Sequence, residues 1–151
     1  MNPYDSAAAG AVWRRVTGTE DGSDAAVLLD WMADEAAMRR AFLSLAQRMG
    51  REAATLRQLA ATAGAHARTL GTLYYLQTGT RAVPPERQAT PIDDPPAALR
   101  ALWERARSAA ARYARAAQNS ENRTRLQRLS DEETKCGESI FELLERELER
   151  K

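Results

Sequence analysis

Only one of the 151 residues is cysteine, which excludes a disulfide framework and any four-cysteine zinc module. Only one is histidine. The β-branched aliphatics are almost as scarce, with four valines and two isoleucines, and these are the side chains that pleated sheets favour. A substantial sheet is therefore not expected. Six prolines and eight glycines are too few for a collagenous or disordered chain. Charge of one sign is missing as well: 22 basic residues face 21 acidic ones, and a net charge of +1 gives no global pull toward nucleic acid or membrane. No apolar run approaches the ~20 residues that span a bilayer. The opening Met1-Asn-Pro-Tyr-Asp has neither a basic nor an apolar signal region, so a cytoplasmic location is the expectation.

What remains is rich in helix formers, with 30 alanines and 16 leucines. Four helical segments are legible. The first covers about Asp24 to Met49, with Gly50 expected as a left-handed cap. The second starts near Arg51 and ends before Gly79. The third runs from Pro95 or Pro96 to roughly Gln118, and the fourth from after Asn119-Ser-Glu-Asn to Lys151. A short additional helix over Ala7 to Val16, carrying Trp13, is expected to pack on the outside. The whole of 1–151 reads as one domain with its core in about 24–149.

Joints of a few residues between helices one and two, and between three and four, imply two antiparallel hairpins. Residues 79–94 form a longer connection. Sixteen extended residues reach ~53 Å, whereas a 27-residue helix is ~40 Å long. This linker can therefore run back along the bundle and let helices two and three lie parallel.

The apolar positions follow alternating steps of three and four. They are Leu28, Trp31, Glu35, Met38, Phe42, Leu45 and Met49 in the first helix, and Leu56, Leu59, Ala63, His66, Leu70, Leu73 and Gln77 in the second. The third offers Leu99, Leu102, Ala106, Ala109, Tyr113 and Ala116, the fourth Leu126, Leu129, Glu133, Cys136, Ile140 and Leu143. This is the stripe of a helix packed in a bundle. Within it stand two carboxylates, one imidazole and one thiol. A buried carboxylate requires a partner, a proton or a metal.

These residues carry a resemblance. The segment Ala63-Gly-Ala-His66 to Gly79, and Leu129-Ser-Asp-Glu-Glu133-Thr-Lys-Cys136 to Leu148, resemble the second and fourth helices of the ferritin-like superfamily, closest to its rubrerythrin-like branch. The resemblance implies an all-α, ferritin-like four-helix bundle with a long crossover between helices two and three, and a homodimer. It matches Glu35 to the family's first-helix carboxylate, His66 to its first histidine and Glu133 to the carboxylate of its second Glu-x-x-His. Cys136 stands in place of the second histidine, while Ala63 and Ala106 replace two carboxylates. Two divalent ions would then be badly compensated in a low-dielectric core, so di-iron enzyme chemistry is not expected.

Two readings stay open. Glu35, His66, Glu133 and Cys136 could be the remnant of a metal site in a non-catalytic binding or interaction module, the carboxylates and imidazole forming a metal-free polar cluster. Alternatively Glu35, His66 and Glu133 could hold a single Fe, Mn or Zn ion with weak redox or peroxide-related activity. Cys136 is either a small buried hydrophobe or a thiolate that biases the site toward zinc. Tyr74 and Tyr75 read as packing or dimer contacts. Gly64 and Gly137 interrupt helices, as a close neighbouring helix would require. Eight arginines between Ala97 and Arg128 and eight acidic residues after Ser130 suggest charge complementarity between helices three and four, not a nucleic-acid surface.

Overall fold

In the computed structural model, which describes residues 25–118 and 120–150, four helices follow one another: α1 (Ala25–Arg48), α2 (Ala53–Thr78), α3 (Pro95–Ala117) and α4 (Arg123–Glu149). The expected helix over Ala7 to Val16 lies outside the described residues. Among those described there is no strand, as the shortage of valine and isoleucine implies. No described helix is long and apolar enough to cross a membrane.

The joint between α1 and α2 is a 3-10 turn, Gly50–Glu52, closed by the Glu52 N–H donating to the Met49 carbonyl at 3.0 Å. Gly50 is not the left-handed cap that its position suggested. Gly79 is the one described residue with positive φ, at 70°, and its N–H donates to the Tyr75 carbonyl at 2.8 Å. A 3-10 turn reverses the chain without a left-handed residue, so the glycine at position 50 is not required for its φ. Glu52, in that turn, is buried and accepts from Arg146 at 3.1 Å and Arg150 at 2.8 Å, fastening the end of α4 to the α1–α2 joint.

Residues 79–94, with Pro84, Pro85 and Pro91, contain no helix. Pro lacks the amide a helix needs, and the residue before it is pushed to extended geometry. The linker travels along α1: Arg87 pairs with Asp34 and with Asp30, and Arg48 donates to the Ile92 carbonyl at 3.1 Å. Ile92 packs on the core beside the start of α3. Pro95 and Pro96 then open α3, where missing N–H groups would be unpaired in any case.

Two apolar clusters give the topology. One joins Phe42, Leu45 and Met49 of α1 with Leu56 and Leu59 of α2, Leu99 and Leu102 of α3, and Ile140 and Leu143 of α4. The other joins Leu28 and Trp31 with Leu70 and Leu73, Tyr113 and Ala116, and Leu126 and Leu129. The late half of α1 thus meets the early half of α2 and of α3, and the late half of α4. Helices α1 and α2 run antiparallel, as do α3 and α4, while α2 and α3 run parallel. The stripe of alternating three and four faces inward throughout, except that Gln77 at its end is only partly buried.

The expected charge complementarity between α3 and α4 is not realised as ion pairs. Among the described residues, Arg105 and Arg112 of α3 meet Asp34 of α1, at 3.9 and 3.4 Å. The acidic residues of α4 that are paired meet arginines of α4, Arg150 just after it, or His66. The α3–α4 seam is filled with Leu, Ala, Tyr and Ile, which leaves charges on the two outer faces pointing apart. One polar bond crosses it, from the Ser130 hydroxyl to the Ala110 carbonyl at 2.8 Å. The glycines behave differently from expectation too. A Cβ on Gly64 would meet the Arg39 side chain at 3.4 Å, and one on Gly137 would meet nothing within 4 Å. Neither glycine admits a neighbouring backbone.

Candidate metal centre

Between the two apolar clusters lies a polar layer. Glu35 of α1, His66 of α2 and Glu133 of α4 are 0%, 1% and 2% exposed. The stripe predicts this meeting, because the three positions stand at the same level of helices that face one another. Their ligand-capable atoms all lie within 4.8 Å of one another. The remaining helix, α3, contributes Ala106 and Ala109 at this level, both buried and neither with a side chain able to bind a metal.

His66 organises the layer. Its Nδ1 is 2.8 Å from Glu35 Oε2 and 2.9 Å from Glu133 Oε1. Its Nε2 is 2.8 Å from Glu132 Oε1. A ring nitrogen carries one proton at most, so a protonated Nδ1 must divide its N–H between two glutamates. The other oxygens of those glutamates, Glu35 Oε1 and Glu133 Oε2, are buried without a hydrogen-bond partner. Two orphaned acceptors in one buried layer are uncommon in a folded protein.

The electrostatics follow from burial. Removal from water raises the Glu35 carboxyl to about 8, the His66 hydrogen bond opposing this and the neighbouring Glu133 charge reinforcing it. For His66, burial works to lower the imidazole, but hydrogen bonds to Glu133 and Glu35 outweigh it and carry it up to about 10. At neutral pH without metal, the layer therefore holds a protonated Glu35 and a positively charged His66 beside Glu133. Tyr113 in the adjacent cluster is raised well above its usual value by burial and then by the Glu35 charge.

Cys136, grouped with these residues from the sequence, does not join them. It is buried and belongs to the apolar cluster that holds Leu59 and Ile140, and burial followed by the Glu133 charge pushes its thiol up to about 12. It is outside the group of mutually close ligand atoms. The environment suits a small hydrophobe.

Glu132 is the partner of His66 that the stripe does not reveal. It sits one residue before Glu133, about 100° around the helix, and so falls off the seam toward α2. Its side chain is 36% exposed and pairs also with Arg128 at 3.3 Å. The Glu132-Glu133 doublet was the available signal: consecutive carboxylates at the edge of a seam can reach one buried imidazole from both sides.

This donor set suits a metal. A ligating histidine ordinarily gives its second N–H to a carboxylate, which fixes the tautomer and orients the ring. Here Nε2 faces Glu132 while Nδ1 faces two carboxylates with free oxygens. One imidazole and two carboxylates could hold one metal ion. No protein-family model, characterised protein or solved structure matches this chain.

Proposed function

We propose that this chain is a metal-binding bundle of the ferritin-like kind, reduced from a two-metal plan to a site for one divalent ion held by Glu35, His66 and Glu133. The observation that carries this reading is the division of labour at His66. Nδ1 lies 2.8 and 2.9 Å from one oxygen of each buried glutamate, each of which has a second oxygen without a partner, and Nε2 is held by Glu132. The parallel α2 and α3, joined by the linker along α1, support the ferritin-like part of the proposal. When bound, the ion would supply Lewis acidity or, as iron or manganese, one-electron chemistry. The chain's own residues orient the imidazole through Glu132 and exclude water with the apolar clusters on either side.

The proton arrangement favours a second reading, the metal-free polar cluster of a non-catalytic module. With Glu35 neutral and His66 charged, the layer compensates itself. One titration separates the two. Metal-free protein is titrated with Mn(II), Zn(II) and, anaerobically, Fe(II), and bound metal is counted per chain. The metal reading expects one ion of at least one of these metals, with affinity reduced at least tenfold in Glu35→Gln. Absence of uptake by folded protein selects the metal-free cluster, and two ions per chain contradict both.

A further inference from the structure

Between α1, α2 and the start of the linker lies a groove of about 640 Å³. Met32 of α1 lines it together with Ala67, Gly71 and Tyr75 of α2, and the linker contributes Arg81 and Ala82. Gly71 has a packing reason to lack a side chain, since a Cβ there would stand 3.1 Å from the Met32 methyl group. Met32 therefore lies close against α2, where a larger residue would push it outward. Tyr75 is 56% exposed, and the neighbouring Leu76 is 72% exposed. One exposed apolar side chain is ordinary, whereas several gathered around one groove mark a contact surface.

Two cations select the occupant. Arg68 and Arg81 both line the groove, and neither forms an ion pair among the described residues. A second copy of the chain related by a two-fold axis would bring the same arginines of both copies into one interface. An occupant that carries apolar and acidic groups together would pair them instead.

Such a segment precedes α1. Residues 1–24 lie outside the described residues and lead directly into Ala25, the first residue of α1. Met32 is about 10 Å further along that helix. Trp13 precedes Ala25 by twelve residues, a reach of up to ~40 Å, so the chain is long enough to turn back over the groove. The order of residues also fits. Ala11, Val12, Trp13 and Val16 are apolar, and Glu20 and Asp21 stand between them and α1. The end of α2 lies beside the start of α1, because Leu73 and Leu28 share one apolar cluster. A chain returning from Ala25 therefore passes Arg81 with its acidic pair before its tryptophan comes level with Gly71. Tethering raises the local concentration of such a segment to the order of millimolar without any partner.

We propose that residues 11–21 dock into the α1–α2 groove of their own chain, the Trp13 indole resting on Met32 and Gly71 beside Tyr75, and Glu20 and Asp21 facing Arg81 and Arg68. Indole buries a large apolar area and gains from contact with a thioether. The docking is independent of the metal proposal and is tested on metal-free protein, so neither result bears on the other.

The test is NMR of the full chain labelled with 15N and with 13C at the methionine methyls. Trp13→Phe identifies the Trp13 indole among the three tryptophans. A nuclear Overhauser effect is expected from that indole to the Met32 methyl, unchanged on tenfold dilution and absent between labelled and unlabelled chains in a mixed sample. Trp13→Ala should shift the Gly71, Thr72 and Tyr75 amides while circular dichroism stays that of the folded bundle. Reversing the groove charge with Arg68→Glu and Arg81→Glu should weaken the effect about threefold at low salt, and adding Glu20→Arg and Asp21→Arg should restore it. No contact between Trp13 and Met32, a contact made only between chains, unmoved groove amides in Trp13→Ala, or indifference to the charge reversal overturns the proposal.

Discussion

Replacing His66 by leucine removes the donor that serves Glu35, Glu133 and Glu132 at once. Leucine fills the volume but donates nothing. Glu132 is part-exposed and returns to water, whereas Glu35 and Glu133 remain in the core at 0% and 2% exposure. Without a cation between them, both must be neutral. Glu35 already holds a proton near neutrality, so one further proton is needed. Starting from the ordinary carboxyl value of 4.5, protonation at pH 7 spans 2.5 units. At about 1.4 kcal/mol per unit this is about 3 kcal/mol. That agrees with the ~3–5 kcal/mol typical of breaking a buried ion pair by removing one partner. At pH 5 only 0.5 units remain, under ~1 kcal/mol. His66→Leu should therefore lose about 3 kcal/mol in urea denaturation of metal-free protein at pH 7, roughly 6–12 °C in Tm for a chain of this size. The deficit should narrow by about 2 kcal/mol at pH 5. A deficit below ~1 kcal/mol at pH 7, or one equal at both pH values, would refute the coupled-cluster argument.

Three further expectations follow from the same geometry. Changing Glu35, His66 and Glu133 together to leucine removes charges and partners at once, so the triple variant should be more stable than His66→Leu alone, and a larger loss in the same denaturation assay would contradict this. In wild-type metal-free protein, Glu35 and His66 both bind their protons more tightly folded than unfolded, having been raised from 4.5 to about 8 and from 6.5 to about 10. Their contribution is complete below the unfolded values and is lost as pH rises through the folded ones, so Tm should fall between pH 6 and pH 10, and a rise over that window would reverse the assigned sign. Gly137→Ala places a methyl group in open space on a helix, which should raise stability by up to ~1 kcal/mol in chemical denaturation, whereas a loss would mean that the glycine is needed for packing.

Much of the core was legible because one rule governs it. The three-four stripe selects one face of each helix, and Glu35, His66 and Glu133 obey it as strictly as Leu45 or Ile140 do. Their polarity at seam positions marked them out before any distance was known. The linker could be read because sixteen residues with three prolines can span a bundle but cannot form a helix within it. Cys136 occupies a seam position as well, yet spacing along one helix does not say whether a side chain meets a polar or an apolar layer of its neighbours. It falls one turn beyond Glu133, into the Leu59 and Ile140 cluster. Glu132 stayed hidden for the converse reason. It is off the stripe, and only the closeness of α2 brings His66 Nε2 within its reach. Ion pairing across α3 and α4 was misjudged because charge totals ignore direction: Asp34, a single carboxylate on α1, draws in Arg87, Arg105 and Arg112. The α1–α2 groove is a property of two outer faces and the linker together, which neither helix's periodicity encodes.

The central claim is that Glu35, His66 and Glu133 hold one ion. It is tested most directly by crystals of the protein loaded with Mn(II) or Zn(II), with anomalous difference maps recorded at the absorption edge of the metal. The account predicts one peak per chain, in contact with His66 Nδ1 and with oxygens of both Glu35 and Glu133, while Nε2 keeps its bond to Glu132. A peak on the Nε2 side, two peaks within the bundle, or no peak in this layer from either metal would contradict it.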